Sequence, residues 1–267
     1  MSTKADLVRA MFARIAPCYD FMNRLMTLGR DRAWRRHVAR QAALPQGGLA
    51  LDVATGTADL ALALARQSPH GRVVGLDFCP EMIDIGRAKV ATAEQNPRIR
   101  FVMGDALRLP FADGCFDAVT SGFALRNVAD ISQAFTEMGR VVKAGGRVVC
   151  LEIARPTLPI FRQLFHFYFY RLVPLLGRFI VGQGEAYQYL PHSLTHFLSP
   201  EKLKAVMEGA GLNQVGYRRL MLGTVAVHVG FGTTGQTAPH SGRTRGSLSG
   251  RITRWPTEIR SKPGSSL

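Results

Sequence analysis

Apolar positions fall into two alternating textures over the first 153 residues. Short, almost uninterrupted apolar runs near residues 51–53, 73–77, 100–104, 116–121 and 147–153 read as buried strands. Between them, apolar residues recur every three to four positions at 59–66, 80–93 and 131–142, the spacing of a helix packed by one face. Strand and helix in turn predict an α/β fold with a largely parallel sheet and right-handed crossovers. Ahead of the first strand, Leu7, Met11 and Ile15, then Met22, Leu25 and Met26, keep helical spacing, so residues 6–41 read as helical with a break at Pro17. Farther on, Ser199 is a good N-cap with Pro200 behind it, which predicts a helix to Gly209, and residues 215–219 and 224–230 read as two closing strands. Residues 156–198 differ: Phe161, Phe165, Phe167, Tyr168, Phe169 and Tyr170 crowd a basic segment, which reads as an inserted helical cap.

With 267 residues, 46% of them hydrophobic, the chain is long enough to bury one large core. Cys18, Cys79, Cys115 and Cys150 are scattered without a C-x-x-C pair, so neither a disulfide framework nor a zinc site follows, and a reducing cytosol fits. The first residues lack the apolar stretch of a secretory signal, and no run of 18 apolar residues occurs. The net charge of +15 leaves anionic lipid, nucleic acid and acidic substrates open as partners. Part of it lies in residues 233–267, rich in Gly, Ser, Thr and Pro, with six Arg or Lys against Glu258 alone; this stretch is expected to be a disordered basic tail behind a domain of residues 1–232.

The chemistry begins at Leu51-Asp52-Val53-Ala54-Thr55-Gly56-Thr57-Ala58-Asp59-Leu60, where a strand runs through a Gly/Thr turn into a helix. Gly56 lets the backbone come close to a ligand, and the helix behind it presents free N–H groups. Asp77 ends the second strand 21 residues after Gly56, near the ~20-residue spacing at which such sheets offer an acid to a ribose. Gly104-Asp105-Ala106 ends the third strand. All three places are carboxyl ends of parallel strands, where open α/β sheets bind ligands. Asp77 is suited to accept from both ribose hydroxyls and Asp105 from an adenine amino group. The three spaced glycines of a dinucleotide loop are missing, which disfavours NAD.

On these residues the chain resembles class I S-adenosylmethionine-dependent methyltransferases. Within them it is similar to the family that C-methylates the ring in ubiquinone and menaquinone biosynthesis. Tyr19-Asp20-Phe21-Met22-Asn23, Leu109-Pro110-Phe111, Phe123-Ala124-Leu125-Arg126-Asn127-Val128 and Gly145-Gly146-Arg147 carry that resemblance beside the cofactor loop, over about residues 11–230. It implies a Rossmann-like, mostly parallel seven-stranded sheet with helices on both faces, and S-adenosylmethionine as cofactor. Carried over by position, it implies cofactor contacts at Asp52, Gly56, Thr57, Asp77, Asp105, Ala106 and Gly122. Ala58 and Ala124 stand where the family usually or often has glycine, Gly122 where some members have serine, and the tail after Gly230 has no counterpart.

Arg126 and Asn127 follow the fourth strand, so they are expected to face the reaction side, Arg126 stabilising a developing phenolate on a polyprenyl quinol and Asn127 orienting the ring. The alternative for Arg126 is a structural pair with an acid such as Asp130. Tyr187, His192, His196, Tyr19 and Asp20 all stand as candidates for the proton acceptor, as does none of them. Residues 160–171 read either as a greasy wall for the prenyl tail, or as a surface resting on anionic lipid through Arg162, Arg171 and Arg178, or as a helix packed on the sheet. These readings place the protein in the cytoplasm, with peripheral contact at the inner face of the membrane. A nucleic-acid methyltransferase is the first rival, but the Asn/Asp-Pro-Pro-aromatic motif of base-amino methylation is replaced here by Ser121-Gly122-Phe123-Ala124. A non-catalytic scaffold of a quinone-biosynthesis complex, supported by Ala58, is the second.

Overall fold

The computed structural model describes residues 4–94, 96–173 and 197–233, all within the compact unit Met1–Gln236. Residues 174–196 of the expected cap, and the tail beyond residue 233, lie outside the described residues.

Seven strands form one sheet: β1 Leu49–Val53, β2 Arg72–Asp77, β3 Ile99–Met103, β4 Phe116–Gly122, β5 Val142–Ile153, β6 Asn213–Leu220 and β7 Val225–Phe231. Their order is β3-β2-β1-β4-β5-β7-β6, parallel from β3 to β5, with β7 antiparallel between β5 and β6. Successive residues of the central strands serve opposite faces. Leu51, Val53, Val74, Leu76, Val148 and Cys150 belong to one core, and Ala50, Val73, Val149 and Leu151 to the other. The first core is closed by α6 (Ile131–Val141) and α8 (Pro200–Gly209), the second by α3 (Asp31–Ala42) and α4 (Asp59–Gln67). Burying both strand faces explains why these runs read as continuous apolar stretches rather than alternating ones. Each fully buried side chain such as Leu51, Leu64 or Met138 contributes roughly 1.5–3 kcal/mol.

Helix starts follow the sequence signals. Asp130 caps α6 by accepting from Gln133 N at 2.9 Å, Ser199 caps α8 by accepting from Lys202 N at 3.3 Å, and Pro80 opens α5, Pro80–Ala91. The helical stretch expected over residues 6–41 with one break is three helices with two, α1 Lys4–Ile15, α2 Tyr19–Thr27 and α3, with a 3-10 turn at Ala16–Cys18. Pro17 makes the first break as expected. The second falls at Leu28, which adopts φ 50° and ψ 38°, followed by Gly29 at φ 73°, whose N–H closes back on Arg24 O at 2.8 Å. β5 begins five residues before the expected Arg147, because Val142 pairs with Phe116 ahead of a register shift at Gly145, φ 72°. Of the cap, α7 spans Pro159–Phe167 and runs into a π turn, Tyr168–Leu172.

The chain leaves β1 toward β2 on one side, while β4 lies on the other. That reversal opens a crevice beyond the carboxyl ends of β1 and β4.

Candidate active site

The loop after β1 turns through three left-handed residues, Ala54 (φ 55°), Gly56 (φ 54°) and Ala58 (φ 67°). Thr55 N donates to Leu76 O at 2.9 Å, which ties the loop to β2. Asp77, ending β2, completes the clamp: Oδ2 accepts from Gly56 N at 2.7 Å and Oδ1 from Cys79 N at 3.0 Å. Burial pushes the Asp77 carboxyl above its ordinary range, and these N–H donors oppose the shift. Each carboxylate oxygen keeps a further lone pair for a ligand hydroxyl.

Gly56, Asp77, Asp105, Ala106, Gly122 and Asn127 line one cleft of about 830 Å³, so most of the site predicted from strand ends converges. A Cβ on Gly104 would lie 2.8 Å from Leu76 Cδ1, and one on Gly56 or Gly122 would meet Met82 or Leu60 at 3.3 Å; the cleft is shaped by bare backbone. Asp105 is exposed at its edge and accepts from Leu107 N at 2.9 Å. The Asn127 Oδ1 atom is buried without a hydrogen-bond partner. Paired acids for hydroxyl and amino donors, glycine at the closest approach and one unsatisfied amide oxygen fit an adenosine-bearing cofactor.

Asp52 and Thr57 depart from the expected set. Neither is among the cleft-lining residues. Asp52 is buried in β1, where Oδ2 accepts from Thr55 Oγ1 at 2.7 Å and Oδ1 from Thr120 Oγ1 at 2.8 Å, and burial pushes its carboxyl up to about 6. It braces the loop from beneath. Thr57 turns its hydroxyl away, donating to Asp20 Oδ1 at 2.6 Å, and Asp20 in turn takes Lys89 Nζ at 2.5 Å. That committed carboxylate removes Asp20 from the cleft, whereas Tyr19 lines it, edge-on to Phe12 with ring centroids 6.0 Å apart. Tyr187, His192 and His196 lie outside the described residues. Val8 and Phe12 of α1 also line the cleft, and sequence reasoning left them out. Their i, i+4 spacing was the available signal.

A second cavity of about 1350 Å³ adjoins the first at Phe123. Met26, Trp34, Ile153, Phe161, Phe165 and Tyr168 make its lining largely apolar and aromatic. Among the described residues, Phe123 is the one that lines both cavities. It adopts φ 60°, packs edge-on against Trp34 with centroids 6.2 Å apart, and carries the Arg35 guanidinium 5.8 Å from its ring centre.

Arg126 lines this aromatic cavity, not the cleft. It has an acid partner, but that acid is Glu152 rather than Asp130, whose carboxylate is spent capping α6. Arg126 Nη1 donates to Phe123 O at 2.6 Å and to Glu152 Oε2 at 3.4 Å, while Glu152 Oε1 accepts from Leu125 N at 2.7 Å. Arg126 Nε is buried without a partner. Burial pushes the Glu152 carboxyl up, opposed by Arg126 and the Leu125 N–H. Glu152 went unnoticed from sequence, although an acid inside the apolar run of β5 was a readable signal.

α7 is not buried on the sheet: no residue of it is fully buried, and Leu164 and Phe167 are 60% and 56% exposed while also lining the aromatic cavity. Tyr168 anchors the segment by donating to Met26 O at 2.9 Å. Among the described residues no helix is long and apolar enough to cross a membrane.

A protein of Roseiflexus sp. named demethylmenaquinone methyltransferase is 49% identical over 228 residues, covering 85% of this chain and 94% of its own length. One of Geobacter sp., named ubiquinone/menaquinone biosynthesis C-methyltransferase UbiE, is 45% identical over 231 residues, covering 86% and 98%. Among solved structures, a possible histamine N-methyltransferase of Thermotoga maritima superposes with a TM-score of 0.61 at 17% identity, covering 84% of this chain and 99% of that one, and shares the fold. The model of the ubiE/COQ5 methyltransferase family matches residues 1–232, and the chain belongs to that family.

Proposed function

We propose that the protein C-methylates the ring of a polyprenyl quinol with S-adenosylmethionine, demethylmenaquinol to menaquinol, the equivalent ubiquinone precursor, or both. The observation that carries this reading is a polar-ended cleft and an aromatic cavity that share Phe123. The 49% identical relative named for demethylmenaquinone supports the first acceptor.

When bound, S-adenosylmethionine supplies an electrophilic methyl group on a sulfonium. In the cleft, Asp77 holds the ribose hydroxyls and Asp105 the adenine amino group, with Gly56, Ala106 and Gly122 giving room. In the aromatic cavity, the ring packs among apolar side chains near Arg126, and the tail leaves past Leu164 and Phe167. A ring carbon is nucleophilic to the extent that its hydroxyl carries phenolate character. Arg126, oriented by Glu152 and Phe123 O, stabilises that charge in a site with little competing water. Asn127 offers its unsatisfied amide oxygen from the cofactor side. Alignment of two bound reactants supplies much of the remaining acceleration.

The rim of the aromatic cavity supports peripheral membrane contact as the finer part of this reading. Leu28, 77% exposed, stands with Leu164 and Phe167 at an opening that suits a substrate dissolved in lipid.

The test is transfer of radiolabelled methyl to reduced short-chain demethylmenaquinol and to 2-methoxy-6-prenyl-benzoquinol, with total RNA as a parallel acceptor. Label on either quinol that is lost in Arg126→Ala supports the reading. Label on RNA, or on nothing, sinks it.

A further inference from the structure

A third cavity, of about 1270 Å³, lies where α2, α3, α4 and α5 converge, and neither reactant of the proposed transfer accounts for it. Its floor is an ion-pair network. Lys89 Nζ lies 2.7 Å from Asp59 Oδ1 and 2.5 Å from Asp20 Oδ2, and Arg35 is bound to Asp31 and lies 3.7 Å from Asp59 Oδ2. Although burial works against it, Asp59 is held below the ordinary carboxylate range by Arg35 and Lys89, so it stays ionised. Two cations therefore meet three carboxylates at the floor.

The rim is different. Arg24 of α2, Arg32 and Arg36 of α3 and Arg66 of α4 line the same cavity, all four are exposed, and none makes an ion pair among the described residues. Set against the floor, they leave a surplus of three positive charges around one concavity. Like charges gathered this way repel, and a concave wall focuses their field outward. Guanidinium forks match phosphate oxygens in pairs, whereas a lone ammonium does not. The walls between them are Leu62, Ala63 and Ala93, with no aromatic ring among the described residues on which a nucleobase would stack, which favours a compact phosphate group over a nucleic acid strand.

We propose that this cavity is a binding site for a phosphorylated anion bearing at least two negative charges, held by Arg24, Arg32, Arg36 and Arg66. A soluble diphosphate and a phosphomonoester headgroup such as that of phosphatidic acid share that chemistry. The site meets the aromatic cavity at Arg35, which lines both, but Arg24, Arg32, Arg36 and Arg66 line neither cavity of the methyl-transfer reading, and failure of either reading leaves the other standing.

The full chain is titrated with inorganic pyrophosphate by calorimetry and floated with vesicles of phosphatidic acid in phosphatidylcholine. Arg32→Ala, Arg66→Ala and the double variant are compared with Arg87→Ala, which removes the same charge from a surface pair with Asp84 outside the cavity. Binding weakened about ten-fold for each cavity arginine removed, and little changed in Arg87→Ala, is the expected result. If pyrophosphate shows it, the source is a soluble phosphate; if only the vesicles do, it is a headgroup. No saturable binding of either probe, or equal weakening in Arg87→Ala, overturns the proposal.

Discussion

Arg126 and Asn127 are consecutive in the chain yet open onto different cavities, the arginine onto the aromatic one and the asparagine onto the cleft beyond β1 and β4. The 3-10 turn Leu125–Asn127 produces this split, because neighbouring side chains on so short a turn diverge. Their substitutions should therefore separate. Arg126→Ala is expected to lower kcat by about 10²–10³, the loss typical of one preorganised donor, with cofactor affinity unchanged. Asn127→Ala is expected to weaken cofactor binding as well. Single-turnover rates beside calorimetric titration with S-adenosylhomocysteine distinguish the two, and equal loss of cofactor affinity in both would contradict the assignment.

Asp77→Asn keeps the shape of the clamp but sets an amide N–H₂ against one of its two N–H donors, Gly56 N or Cys79 N. Loss of one charge-assisted hydrogen bond, about 1.5–3 kcal/mol, predicts roughly ten- to hundred-fold weaker cofactor binding. A dissociation constant within two-fold of the parent would remove Asp77 from the site.

Asp52 sets a pH dependence of stability. Its carboxyl rises from an ordinary 3.8 to about 6 in the fold, so the folded chain prefers the neutral acid. This contribution is full below about pH 4, is lost as pH rises from about 4 to 6, and is absent above, a change of about 3 kcal/mol. Asp52→Asn mimics the neutral form at every pH. Urea unfolding at pH 4 and pH 7 should show the variant gaining on the parent by that amount at the higher pH; parallel curves would refute it.

Ala58 is fully buried with φ 67°, in the left-handed region that favours glycine. Glycine there would relieve about 1 kcal/mol of left-handed strain. It would also give up about 0.8 kcal/mol of methyl burial and ~0.4–1 kcal/mol through the freer unfolded chain. These nearly cancel, so Ala58→Gly is expected to unfold within a few degrees of the parent and to bind cofactor as well. A large gain in either property would show that alanine here is a real handicap.

Much of the site was legible because strand ends are. Gly56, Asp77, Asp105 and Gly122 each close a run whose apolar texture marks a strand, and a parallel sheet gathers those ends along one edge. The side-chain partners of Asp52 and Thr57 were not legible, because spacing along a chain carries no side-chain direction. One sits beneath the loop and the other turns toward Asp20. The break at Leu28 was hidden for a similar reason: a non-glycine residue there adopts a left-handed conformation that only Gly29 beside it hinted at. The two closing strands were visible, but not that β7 would insert between β5 and β6, since long-range pairing leaves no local mark. Glu152 shows the reverse case, a residue whose oddity in an apolar strand was legible and whose partner Arg126 was not.

That Phe123 is the only side chain among the described residues common to the two cavities bears on turnover as well as on chemistry. Two compartments that touch through one ring fill and empty by separate doors. A spent nucleoside can then exchange with the aqueous phase while a greasy acceptor is still seated, and the acceptor can depart toward lipid without waiting for the nucleoside. Such an enzyme has no obligatory order of arrival or departure, and product-inhibition patterns that demand one would mean that the doors are not independent.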